Sequence, residues 1–460
     1  MRLIRGCLIL TLVLRLPALS WAVGAVTAEV DQTLGLAALR QQTGLTGAGV
    51  TIGIVGEGAH DWRNYVASGD LPSDIQFVEG DEGSGLSLGH LQVIHDVAPG
   101  AKLLFNKYGG GPPDQSAQEL MNLGANIIFF MDDQMFGGLV FEEKWLTDAI
   151  TASQSGTLII SPADDYGSAH YRGEFVDSGN GEHDFGGGNT VMTVNVPADC
   201  EALPTIAWSE PQASDFSDYR IRFYDQAHNP LGQLYSDGVK PMATGFLEPT
   251  SYDRQEWISV WKAPEAPALL FDIRFDCYFP GPVGGISATI EPGLRVDEGS
   301  IVGVAALPEV LTVGALDQTT EVAPGRYAVR PYSGRGPAEI TIPTTEVRPK
   351  PDLMAPDCQS RYVIPYEGTP YTLSQCGTSI SAAVVTGIAA LVQEKQGFVR
   401  TADIKALLTG TAADLEEPGF DGVSGYGQVD PAAALALPKV PTSALVLLLA
   451  ITCIICKRRR

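Results

Sequence analysis

The stretch QCGTSISAA, residues 375–383, leads without a break into the apolar run of residues 384–392. Gly377 and Thr378 are typical of a turn, and Ser379 then opens a long apolar helix. A serine in this position lies beside unpaired helical N–H groups and in their positive field. Its own N–H can then help to bind an oxyanion. A serine that only caps the helix is equally consistent with these nine residues.

The segments on either side of this stretch favour the first interpretation. In chain order they are TVGA at 312–315, PYSGRGP at 331–337, KPDLMAP at 350–356 and GYGQVD at 425–430, with upstream matches at 49–58 and 95–101. Together they resemble, in the same order, the motifs of the subtilisin-like serine peptidases. The resemblance implies an α/β fold, hydrolysis of peptide bonds, and Ser379 as the nucleophile.

The order of apolar and amphipathic segments predicts the same fold class. Strands are expected at 50–55, 102–105, 126–131 and 158–161, with helical segments at 91–97, 117–123 and 142–153 between them. Strands and helices that alternate at this spacing favour a doubly wound parallel sheet. Ligand sites in such sheets lie beyond the carboxyl ends of the strands.

The pattern changes to period two between residues 190 and 290. Strands are expected at 191–196, 219–224, 257–261 and 269–278, with turn residues between them. This pattern predicts an antiparallel β-sandwich inserted into the α/β domain. We therefore expect an α/β domain in two parts, 26–188 and 296–437, around a sandwich at 189–295.

The first two members of the family's catalytic triad are missing. Where the family's first strand ends in Asp, this chain offers Gly56 in one alignment and Glu57 in another. Where the family has His, the stretch 81–86 offers Glu82. His90, on the helix that follows, is a second candidate for the base, whereas a structural role is expected for His95.

The family's oxyanion asparagine is also replaced, because Asp164 and Asp165 follow the buried strand at 158–161. A protonated Asp can donate a hydrogen bond as an amide does, provided that its pKa is raised or the medium is acid. Sedolisins, acid-acting relatives with this fold, use Ser with carboxylates. By analogy, Ser379, Glu57, Glu82 and Asp164 or Asp165 form the predicted site, which should work best below neutral pH.

Two functions remain open on the sequence. The first is an exported serine endopeptidase with a rearranged base, which acts on proteins or peptides. The second is an inactive pseudo-peptidase that serves as a binding or scaffold protein. A carboxylate or imidazole within hydrogen-bonding reach of the Ser379 hydroxyl would favour the enzyme. No cofactor or metal is expected in either case.

The two ends of the chain indicate export. Residues 1–25 resemble a signal peptide, with Arg2 and Arg5 before an apolar run and small residues at Ser20 and Ala22, or at Val23 and Ala25. Residues 438–460 contain an apolar stretch at 440–456 and a basic end, which predicts either a membrane anchor or a cleaved sorting tail. The net charge of -24 disfavours nucleic acid as a partner.

Four cysteines lie between the two ends: Cys200, Cys277, Cys358 and Cys376. An even number in an exported chain favours two disulfides, and four cysteines allow three pairings. We favour Cys200–Cys277 and Cys358–Cys376, because each pair falls within one predicted segment of the fold. A zinc site is disfavoured because no Cys-x-x-Cys or histidine cluster is present.

Overall fold

A computed structural model describes residues 24–80, 82, 84–107, 113–131, 156–210, 216–236, 241–278, 287–342, 344–397 and 401–439. Its helices are α1 (Val30–Thr33), α2 (Leu36–Thr43), α3 (Trp62–Ser68), α4 (Ser87–Val97), α5 (Pro113–Asn122), α6 (Thr378–Gln396), α7 (Thr401–Gly410) and α8 (Pro431–Ala436), with a 3₁₀ turn at Gly303–Ala306. The first strands are β1 (Thr51–Gly56), β2 (Gln76–Phe77), β3 (Lys102–Lys107), β4 (Ile127–Phe130), β5 (Leu158–Pro162), β6 (His170–Glu174) and β7 (Met192–Val196).

The remaining strands follow in chain order. They are β8 (Glu201–Trp208), β9 (Tyr219–Tyr224), β10 (Pro230–Tyr235), β11 (Met242–Thr244), β12 (Arg254–Lys262), β13 (Leu270–Tyr278), β14 (Thr289–Ile290), β15 (Leu311–Ala323), β16 (Arg326–Val329), β17 (Ala338–Ile340), β18 (Glu346–Arg348), β19 (Leu353–Pro356), β20 (Gln359–Val363) and β21 (Tyr371–Gln375).

The main sheet has eight strands in the order β16-β15-β5-β4-β1-β3-β2, with β19 paired to β15. Every pair is parallel except β15 with β16. Alternate residues of β1 face opposite cores: Ile52 and Ile54 pack with α4 and α6, and Val55 packs with α5. Because helices cover both faces, the predicted doubly wound parallel sheet is confirmed.

Helix α6 is the central element of the larger core, and most of its residues are buried. Helix α4 crosses it closely at Gly387, where an added Cβ would lie 2.5 Å from Val97 Cβ. A residue with a side chain at this position would push the two helices apart. The glycine therefore sets the distance between the helix that carries Ser379 and the helix that carries His90.

The sandwich consists of two antiparallel sheets, one ordered β10-β9-β12-β7-β14 and the other β11-β8-β13-β6. Side chains of both sheets share one apolar core, in which Trp208 stacks on Tyr219 at 5.3 Å between ring centroids. Strand β6 belongs to this sandwich, although it lies before residue 189 in the chain. The disulfide Cys200–Cys277 joins the region of β8 to β13, and Cys358–Cys376 closes the β20–β21 hairpin, so both predicted pairings are confirmed.

Both ends that predicted export lie outside this description, since residues 1–23 and 440–460 are not among the described residues. The same applies to the helix expected at 142–153. Within the described part of the chain, no helix combines the length and the apolar character needed to cross a membrane.

Candidate active site

Ser379 is the second residue of α6, which follows Gly377 in a backbone conformation of φ 123°. The residue at the N-cap position is Gly377, which has no side chain to cap the helix. Instead, Ser379 Oγ lies 3.0 Å from Nε2 of His90. The serine hydroxyl is therefore directed at a potential base and not used as a helix cap. Its backbone N–H belongs to the first turn of α6, where no helical carbonyl is available to accept it.

His90 reaches the serine from the middle of α4. It lies one helical turn after Leu86, the last residue of the stretch 81–86 in which the resemblance places the family's histidine. Residues separated by one turn share a face of a helix, so an imidazole at position 90 occupies the side of α4 that faces α6. The sequence named His90 only as a second candidate, because motif spacing gave no weight to a histidine displaced by a turn. The helical period was the signal that could have identified it.

Burial dominates the electrostatics of His90. Its side chain is almost fully buried, and its ring centroid lies 5.9 Å from that of Phe129. Burial, helped by the positive charge of Arg361 and opposed by the Leu86 carbonyl, lowers the pKa of His90 to about 3. Its Nδ1 is buried and, apart from this weak interaction with the Leu86 carbonyl, has no hydrogen-bond partner among the described residues. The imidazole is therefore neutral above strongly acid pH, and within the described part of the chain no carboxylate orients it.

In the alignment that places Gly56 at the position of the family's aspartate, β1 ends without room for a carboxylate side chain. A Cβ added at Gly56 would lie 2.6 Å from Oγ of the buried Ser87. Ser87 Oγ accepts a hydrogen bond from the Gly58 N–H at 3.3 Å and donates to Met131 Sδ at 3.3 Å. Ser87 therefore fills the space beneath α4 that an orienting aspartate would need.

The two predicted glutamates lie in neighbouring loops. Glu57 is half-buried at the end of β1 and accepts a hydrogen bond from Ser84 Oγ at 3.4 Å. Glu82 is exposed, and its backbone carbonyl lies 2.9 Å from a Cβ added at Gly58. Among the described residues, His90 is the side chain that makes a hydrogen bond with the Ser379 hydroxyl. A role for Glu57 or Glu82 in the reaction stays a prediction.

Of the two predicted oxyanion residues, Asp165 is the one whose side chain contacts the first residue of α6. Its Oδ1 accepts a hydrogen bond from the Thr378 N–H at 2.9 Å. A Cβ added at Gly377 would lie 2.9 Å from Asp165 Oδ2 and 3.6 Å from Ser379 Oγ, so only a glycine leaves the space between them open. Asp164 is buried in the preceding turn with φ 62°. This geometry makes Asp165 the candidate for the oxyanion position.

A second buried carboxylate, that of Asp357, interacts electrostatically with Asp165. Asp357 accepts hydrogen bonds from the Tyr332 hydroxyl and from Arg330 Nε, the latter at 3.0 Å. Burial raises the pKa of Asp165 to about 6, opposed by hydrogen bonds from Thr378 and helped by the charge of Asp357. Asp165 is therefore mostly protonated in mildly acid solution and can donate a hydrogen bond there.

Asp357, Cys358 and Cys376 are close enough together to resemble a metal site. The two cysteines form a disulfide, however, and a disulfide sulfur is not the thiolate that binds a metal. This cluster therefore does not fit a metal ion.

Comparison with known proteins bears on the family resemblance and on the fold. Residues 295–427, which include Ser379, match the sequence model of the subtilase family. Fervidolysin from Fervidobacterium pennivorans is 30% identical over 164 residues, or 34% of this chain, and the match covers 22% of fervidolysin, about a fifth of that relative's length. The CspB protease of Clostridium perfringens shares the fold, with a TM-score of 0.53 and 15% identity over 88% of this chain and 96% of that chain. The resemblance to subtilases is thus confirmed, and the fold is that of a subtilisin-like protease.

Proposed function

We propose that the protein is a serine peptidase that acts at acid pH, with Ser379 as nucleophile, His90 as general base and Asp165 as a donor to the oxyanion. The distance of 3.0 Å between Ser379 Oγ and His90 Nε2 carries this proposal. It replaces the all-carboxylate site expected from the sequence with a Ser–His pair beside one carboxyl group. The match of residues 295–427 to the subtilase family supports peptide bonds as the substrate class.

The reaction follows from the positions of these groups. Ser379 Oγ attacks the substrate carbonyl, and its proton passes to His90 Nε2. The resulting oxyanion accepts hydrogen bonds from the Ser379 N–H and from protonated Asp165. When the intermediate collapses, the C–N bond breaks and the departing amine takes the proton from His90. Water then releases the acyl group by the same steps in reverse.

The pKa values of the two titrating groups define the working range. His90 accepts a proton only when it is neutral, so activity rises as the pH rises through about 3. Asp165 donates only when it is protonated, so activity falls as the pH rises through about 6. The expected profile is a bell between these two values. A base of such low pKa is a weak base, and we expect a slow enzyme.

An inactive binding protein is the second candidate function. The observation that favours it is the buried Nδ1 of His90, which has no hydrogen-bond partner among the described residues. In Ser–His–Asp peptidases an aspartate orients the imidazole and stabilises it once protonated. Without such a group, the contact between Ser379 and His90 would persist while peptide hydrolysis is lost.

Export and a membrane-associated or cleaved tail are part of the proposal. The two disulfides support export, because such bonds persist in oxidising compartments. The signal at 1–25 and the tail at 438–460 would then place the enzyme at the cell envelope or outside the cell. Fractionation of cells that express the whole chain or residues 1–437 tests this. An anchored tail predicts that only the shorter protein is released, whereas a cleaved tail predicts that both are.

A fluorophosphonate probe, which reacts with activated serines, tests the chemistry. We would measure labelling of the protein without signal and tail from about pH 3 to about pH 8, with Ser379→Ala, His90→Gln and Glu57→Gln as comparisons. The proposal predicts labelling that requires Ser379 and His90 but not Glu57. Loss of labelling in Glu57→Gln alone would assign the base to a carboxylate, and no labelling at any pH would favour the binding protein.

A further inference from the structure

Asp70 is a buried carboxylate close to the beginning of the described chain. Its side chain is 1% exposed, and its Oδ1 accepts a hydrogen bond from the Val26 N–H at 3.0 Å. Its Oδ2 is buried and has no hydrogen-bond partner among the described residues. A buried carboxylate oxygen without a hydrogen-bond partner lowers the stability of the folded protein, and a cation close to it would restore that stability.

The side chains around Asp70 do not supply that cation. His95 interacts electrostatically with Asp70, and burial lowers the pKa of His95 to about 4, although Asp70 and Asp74 oppose this. His95 is therefore neutral at pH 7. Asp96, which also interacts with Asp70, is a carboxylate as well. No ion pair to Asp70 is present among the described residues.

The chain before Val26 passes tightly against the same carboxylate. Gly24 has φ 55°, and a Cβ added there would overlap Asp70 Oδ1 and lie 2.6 Å from its Cγ. Ala25, by contrast, is exposed. The peptide bond between Ala25 and Val26 is thus accessible on one side, while its nitrogen already touches Asp70 on the other.

We propose that the Ala25–Val26 bond is a processing site and that the new α-ammonium group of Val26 binds Asp70. An endopeptidase that accepts small residues at Val23 and Ala25 adds water across this bond. Ala25 gains a carboxylate, and the Val26 nitrogen gains protons and a positive charge. The same nitrogen that now donates one hydrogen bond to Oδ1 then has further protons for Oδ2.

This ion pair would hold a segment that extends towards the candidate active site. Ala28 N–H donates to Asp96 Oδ2 at 2.8 Å, and Val30 N–H donates to Gln359 Oε1 at 2.9 Å. Glu29 accepts hydrogen bonds from the backbone N–H and the hydroxyl of Ser360. Gln359 and Ser360 belong to β20, the strand that also carries Arg361. Fixing Val26 therefore stabilises the base of the β20–β21 hairpin beside His90.

The test compares two proteins that differ by one residue, released from an amino-terminal fusion so that they begin with Val26 or with Ala25. At pH 7 we expect the protein that begins with Val26 to unfold about 2 to 4 °C higher. The pairing raises the pKa of the α-ammonium above its usual value of about 8. The advantage is therefore fully present below pH 8 and is lost as the pH rises through the raised value.

Asp70→Asn is the matched control, and in its background the two proteins should unfold at the same temperature. If that variant does not fold, acetylation of Val26 in the wild-type protein should remove the advantage by removing the charge. Amino-terminal sequencing of the exported protein should give Val26. A different first residue, or equal unfolding temperatures for the two proteins, overturns the proposal. Neither readout depends on peptidase activity, so an inactive Ser379 would not affect them.

Discussion

His90 in the α/β domain and His170 in the sandwich are both buried and hydrogen-bonded, and the two sites differ in their partners. His170 in the sandwich faces Asp272 Oδ2 through Nε2 at 2.7 Å and the Val296 carbonyl through Nδ1 at 2.7 Å. His90 in the α/β domain faces the Ser379 hydroxyl through Nε2, while its Nδ1 has no partner among the described residues.

The difference separates a structural histidine from a reactive one. Both partners of His170, a carboxylate and a backbone carbonyl, are acceptors that have no proton to give to the ring. His90 has a hydroxyl partner that can give up a proton, in an environment that keeps the imidazole neutral. Burial alone therefore does not identify a catalytic histidine, whereas the kind of partner does.

The largest expected effect is on chemistry at His90. His90→Gln should lower the rate of fluorophosphonate labelling by about 10² to 10⁴ and leave the unfolding temperature close to that of the wild type. Labelling kinetics and thermal unfolding of the same samples check this. A large loss of stability with unchanged labelling would mean that His90 resembles His170 and is structural.

In the sandwich we expect the reverse of the result for His90→Gln, namely a loss of stability with unchanged labelling. Burial would raise the pKa of Asp272, but the charges of His170 and Arg172 outweigh it and lower the pKa below its usual value. Asp272 therefore contributes stability above the unfolded value of about 3.9, which is lost as the pH falls through the depressed folded value. Asp272→Asn should reduce the free energy of unfolding by about 3 to 5 kcal/mol at pH 7. Denaturant unfolding measures this, and labelling per folded molecule should not change.

The sequence predicted the fold well because its signals are local or ordered along the chain. Period two at 219–224 and the buried runs at 50–55 and 102–105 each specify a strand, and the subtilase motifs specify how the strands connect. Strand β6 was missed because the sequence HYRGE lacks clear alternation, and its place in the sandwich comes from pairing with β13.

The site was predictable only in part. Ser379 follows from a contiguous motif, and Asp165 from its place after a buried strand. His90 required knowing which face of α4 packs on α6, and that contact depends on Gly387 and Val97, far apart in the chain. The choice between Asp164 and Asp165 also depends on the turn conformation of Asp164, which motif spacing does not contain.

A smaller effect on labelling is expected from a change at Asp165, which sets the upper pH limit of labelling but not the lower one. Asp165→Asn supplies an amide donor at every pH, so the fall in labelling above about pH 6 should disappear. At pH 7 only about one tenth of the wild-type Asp165 is protonated, and the variant should label about tenfold faster there. The rise near pH 3 should stay in place because it belongs to His90. A variant that keeps the alkaline fall would remove Asp165 from the oxyanion position.

The smallest effect is expected from Arg361, which acts on His90 only through its charge. Arg361 Nε is buried without a hydrogen-bond partner among the described residues, and the positive charge is the second cause, after burial, of the lowered pKa of His90. Arg361→Gln should move the rise in labelling to higher pH by less than about one unit, because burial is unchanged. Arg361→Lys keeps the charge and should restore the wild-type profile. If the rise in labelling near pH 3 stays in place in Arg361→Gln, burial alone sets the basicity of His90.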